Sequence, residues 1–155
     1  MIDWDGFLAR LKSHPSHGHR ILPPCSPSTK SAIEQQLGPL PEDISQMVDR
    51  FSGAELFVDF ATIFRLTDDP PLPPLEWAVE WCIDAMTTKW RVAGTGREQD
   101  WALAMTNYGG LILLDSQGLV KEWDTGQATW LNKDISLQDW LDGIMTEGES
   151  LMEDS

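Results

Sequence analysis

Residues 101–124 read WALAMTNYGGLILLDSQGLVKEWD, and this stretch decides the fold. Its first six residues alternate large side chains (Trp101, Leu103, Met105) with small ones (Ala102, Ala104, Thr106), the period-two rhythm of a strand. Asn107-Tyr108-Gly109-Gly110 is turn chemistry. Leu111-Ile112-Leu113-Leu114 is apolar on both faces, which predicts the most buried strand of a sheet. Asp115-Ser116-Gln117-Gly118 then turns the chain into a third strand over 119–124. Three strands joined by short turns make an antiparallel meander, and Trp130-Leu131 adds a short edge strand to it.

Outward from the meander the period changes to that of helices. Trp4, Phe7, Leu8 and Leu11 form one helical stripe, with Asp3 as N-cap and Pro15 as the stop. Residues 13–27 are loop-like. Ser26-Pro27 opens a second helix that Gly38-Pro39 ends. Leu40-Pro41-Glu42-Asp43 opens a third, whose stripe is Ile44, Met47, Val48 and Phe51 and whose C-cap is Gly53. Residues 55–60 and 61–66 are dense in apolar side chains and read as one or two strands. A proline-rich linker over 68–74 leads to a helix expected over 75–90, and Ser136 with Asp139 caps a last helix carrying Leu137, Trp140, Leu141 and Ile144. With no βαβ alternation, the order predicts an α+β fold: a central, largely antiparallel sheet flanked by helices. One domain is expected over 1–146, followed by a frayed acidic tail over 147–155.

The chain has 155 residues, enough for one domain with a real core. Its charge is −14, and unevenly placed. Residues 1–40 hold four Lys and Arg against three acids; residues 41–155 hold seven against 22. Such a field repels phosphate backbones and anionic lipid, so neither nucleic acid nor membrane is an expected partner, while a basic protein is. The acidic start MIDWDGFLARLK, the lack of a membrane-length apolar run, and two distant cysteines (Cys25, Cys82) make a cytoplasmic protein the default expectation; no feature sets the oligomeric state, and a monomer is taken as its default.

Signatures of chemistry are few. His14, His17 and His19 could ligate a transition metal, but Pro15, Ser16 and Gly18 among them are loop formers and nothing at a suitable spacing completes a site; a solvated loop is the expectation. Gly94-Thr95-Gly96 lacks the third glycine of a dinucleotide fingerprint. The P-x-x-P within 70–74 reads as a stiff linker. No nucleophile elbow, Cys–His pair or H-E-x-x-H occurs, so no catalytic, metal or cofactor-binding residue is assigned. An enzyme of unrecognised type is a lesser alternative.

Several phrases in order carry a resemblance: Leu37-Gly38 then Leu40-Pro41-Glu42-Asp43; Phe51-Ser52-Gly53; Tyr108-Gly109-Gly110-Leu111; Leu114-Asp115; Gly118-Leu119-Val120; and the closing 136–144 helix. In that order they resemble the SUKH superfamily, the Smi/Knr cell-wall regulator type, over roughly residues 26–146. Ser52-Gly53-Ala54 departs from the family's usual Asn-Gly-Gly, and 75–92 does not align. The resemblance implies an antiparallel sheet flanked by helices, no established catalytic residues, and, as in many bacterial members, an immunity protein that binds a toxin domain, often a nuclease. A regulatory or scaffold module of the same fold is the alternative. The residues expected to meet a basic partner are Glu76, Glu80 and Asp84, spaced by four, beside Trp77 and Trp81, with Asp68 and Asp69 before them.

Overall fold

The fold is that of a computed structural model, which describes residues 2–66 and 81–153. The helices are α1 (Trp4–Lys12), α2 (Pro27–Leu37), α3 (Glu42–Val48), α4 (Ile83–Ala93) and α5 (Leu137–Glu153). The strands are β1 (Arg20–Ile21), β2 (Ala54–Leu56), β3 (Ala61–Ile63), β4 (Trp101–Thr106), β5 (Gly110–Leu114), β6 (Leu119–Asp124) and β7 (Thr129–Ser136). They form one sheet in chain order, β1 to β7, and every neighbouring pair is antiparallel. This is the α+β architecture expected, with the sheet at its centre.

The local signals behave as their chemistry requires. Asp3 accepts from the Gly6 N–H at 2.9 Å, Ser26 from the Thr29 N–H at 3.2 Å and Ser136 from the Asp139 N–H at 3.0 Å, each relieving an unpaired helix-start donor. β5 is buried along its whole length, as its two apolar faces demand. Trp4, Phe7 and Phe51 meet edge-on or stacked at 5.7–6.0 Å and seat α1 against the end of α3, while the Trp4 indole N–H donates to the Asp43 carbonyl.

Five expectations need correction. The helix expected over 75–90 is not continuous: Cys82 is extended and bridges Arg65, and α4 starts at Ile83 and runs to Ala93, while 75–80 lie outside the described residues. The third helix ends at Val48 rather than Gly53, and Gly53 (φ 119°) instead lets the chain pass the Arg65 backbone, which a Cβ would meet at 2.8 Å. The loop over 13–27 contains β1, whereas the 55–66 run does form two strands, β2 and β3, joined by a turn at 57–60. The edge strand at Trp130 runs for eight residues. The tail is not frayed through 153: α5 continues to Glu153, held by the Arg10–Glu149 ion pair and by Phe57 packed over Gly148.

The pairing register lays two rows across the whole sheet. One face carries Ile21, Ala54, Ile63, Ala104, Ile112 and Glu122; the other carries Arg20, Glu55, Thr62, Met105, Leu111, Trp123 and Trp130. The first is the main apolar face. The second is covered at its β6–β7 end by α4, through Trp90 packed edge-on against Trp123 and Trp130 at 5.8 and 5.7 Å. Its β1–β4 end is more polar, and that is where the candidate site lies.

Candidate functional site

Two cavities abut at the β2–β4 end of this second face. The larger, about 230 Å³, is lined by Glu55, Asp59, Thr62, Trp81, Met105 and Asn107, among others; the smaller, about 20 Å³, reaches toward Leu22 and Arg65. Glu55, Thr62 and Trp81 belong to both. Strand geometry explains the first two. Glu55 and Thr62 sit directly opposite one another in the β2–β3 pair, so they project from the same face. Trp81 is delivered from the other direction, by the parallel bridge between Arg65 and Cys82 that brings the start of α4 beside β3.

Glu55 is the unusual member. It is 7% exposed, and its Oε2 has no hydrogen-bond partner among the described residues. Arg20 is its neighbour across the β1–β2 pair, yet the two form no ion pair. Burial pushes the Glu55 carboxyl above the usual range; the Arg20 charge pulls it back and Asp59 adds to the rise. A buried carboxylate oxygen without a donor costs about 1–3 kcal/mol or more. An incoming cation or N–H donor would recover that cost. At Cys82, next to Trp81 in the chain, burial likewise raises the thiol, against the pull of Arg65.

Of the residues expected at a partner surface, Trp81 lines both cavities. Asp84 lies in the first turn of α4, where its charge favours the helix dipole and its carbonyl accepts from the Thr88 hydroxyl at 2.9 Å. Asp68, Asp69, Glu76, Trp77 and Glu80 lie outside the described residues. Glu55, Asp59 and Thr62 were missed. The available signal was an acid inside an otherwise apolar run, Ala54-Glu55-Leu56-Phe57-Val58, at the alternate position to Ala54 and Leu56.

The histidine loop is exposed at His14 and half-buried at His17 and His19, where it packs on the β2–β3 turn. His14 and His17 stack at 4.7 Å, and His19 lies edge-on to Phe57 at 4.5 Å while its Nδ1 accepts from the Phe57 N–H at 3.1 Å. Its role is to hold the β2–β3 turn. Among the described residues no three His, Cys, Asp or Glu are arranged to hold a metal ion. No described helix is long and apolar enough to cross a membrane. No protein-family model matches the chain, and no curated protein matches it.

Proposed function

We propose that the chain is a protein-binding module that docks a basic partner, and that the partner is a toxin domain which it neutralises, as the resemblance to the SUKH type implies. The observation that carries the reading is Glu55: a buried carboxylate with an unpartnered oxygen, set in a concave site beside Trp81, on a chain of charge −14. What the site offers is negative charge and aromatic surface. Those attract and anchor a cationic surface, such as the substrate cleft of a nuclease, with charge-steered association and slow release. The same field makes nucleic acid itself an unfavourable ligand.

Co-expression with a toxin domain, taken from the gene's neighbourhood where one is encoded there and otherwise from pull-down in the native host, tests the reading. The expected result is restored growth and a stoichiometric complex whose association slows about tenfold between low and high salt. Undiminished toxicity, with no complex by calorimetry at micromolar concentrations, would remove the immunity role.

A further inference from the structure

The composition of the β2–β4 site says more than that it is acidic. Its larger cavity, about 230 Å³, is below the roughly 300–1,000 Å³ of pockets that enclose a whole small molecule. It has room for a charged side-chain head and part of its stem. Its walls divide in the way such a side chain divides: Trp81 and Met105 offer apolar surface for methylenes, and Glu55 and Asp59 offer carboxylates for the head. Glu55 is already desolvated, so the penalty for burying the anion is present before anything binds. Arg20, its neighbour across the β1–β2 pair, makes no ion pair with it, and Arg65 lines the smaller cavity but not the larger one.

We infer that this cavity is a receptor for the cationic end of an arginine or lysine side chain presented by a partner protein. The head pairs with Glu55, Asp59 adds long-range attraction, and the aromatic ring of Trp81 covers the stem or the guanidinium plane. This deepens the binding role proposed above and rests on it for the identity of the partner, but the pocket itself is testable alone. Because burial holds the free Glu55 carboxyl above the ordinary carboxylate range, cation binding favours its ionised form. Affinity therefore rises as pH rises through the free-state pKa, and binding below it releases a proton.

The test is NMR titration of the full chain with N-acetyl-arginine methylamide and N-acetyl-lysine methylamide, against N-acetyl-norleucine methylamide as the neutral probe. Expected are saturable shifts at Glu55, Thr62 and the Trp81 indole with both cationic probes and none with the neutral one. Glu55→Gln, nearly isosteric and relieved of a buried charge, should keep the wild-type spectrum and weaken the cationic probes at least about fivefold. Equal shifts from the neutral probe, or unchanged affinity in Glu55→Gln, overturn the inference. A toxin complex that forms while the probes fail to bind rejects the pocket and leaves the immunity role standing. Probe binding without protection from toxin does the reverse.

Discussion

Glu122 sits in a row that is apolar from Ile21 to Ile112, and it is buried there at 4% exposure. The Tyr108 hydroxyl donates to its Oε1 at 3.3 Å, and the glycine between them has a reason: a Cβ on Gly110 would fall 2.8 Å from Thr106 Oγ1 and 3.0 Å from Glu122 Cδ. The Tyr108-Gly109-Gly110 phrase is thus the space a buried carboxyl needs, as well as a turn. Burial pushes Glu122 above the usual carboxyl range; the Tyr108 hydrogen bond opposes this, and the charges of Glu147 and Asp124 add to it. A carboxyl raised in the folded state gives stability that is complete below its unfolded pKa, about 4.3, and lost as pH rises through the folded value. Replacing Glu122 by Gln should therefore raise Tm at pH 7 by about 3 °C, the shift that about 1 kcal/mol makes in a domain of this size. At pH 4 the two proteins should melt together. Thermal melts at both pH values decide it, and a gain of equal size at pH 4 would show that the charge is not the cause.

Among the elements, the β2–β3 hairpin explains where the sequence was readable and where it was not. Its turn passes through left-handed backbone at Phe57 (φ 53°) and Val58 (φ 69°), a conformation that costs an L-residue roughly 1–2 kcal/mol each and is signalled in sequence by Asn or Gly. Neither is present, so 55–66 read as one or two strands with no turn marked between them. The strain is held by tertiary contacts invisible to local pattern: the His19 imidazole on the Phe57 N–H, the Gly18 carbonyl accepting from the Val58 N–H at 3.3 Å, and the Phe57 ring laid across Gly148 of α5. The meander and helix caps were legible because turn glycines and capping hydroxyls act within a few residues. The hairpin, the start of α4 and Glu55 were not, because long-range pairing places them. Two glycines of one helix separate the effects. A Cβ at Gly148 would lie 2.2 Å from the Phe57 ring, whereas at Gly143 it would meet nothing within 4 Å. Gly143→Ala should stabilise by about 0.5–1 kcal/mol through helix propensity, and Gly148→Ala should destabilise by about 1–3 kcal/mol through overpacking. Urea unfolding measures both, and a stabilising Gly148→Ala would mean that Phe57 does not anchor the turn on α5.

On the scale of the whole molecule, charge and sheet order set the behaviour. The ion pairs Arg10–Glu149, Lys30–Asp49, Arg50–Asp5 and Lys121–Asp115 engage only a few of the 25 acids. Net self-repulsion remains, so Tm should rise by roughly a few degrees between low salt and 0.3 M sodium chloride, where the Debye length has shortened to about 6 Å. A fall in Tm, read by calorimetry, would mean that those pairs outweigh the repulsion. Among the described residues, the sheet's chain-order topology also leaves two rims. β1 is two residues long, but β7 is eight, long enough to recruit another chain. β7 is interrupted: between Asn132 (opposite Glu122) and Ile135 (opposite Val120) two residues face one, with left-handed backbone at Asp134 (φ 62°). Its outward line of hydrogen-bonding groups is broken midway, so a second chain could not zip along it in register, and growth of the sheet toward fibrils ends at its own rim.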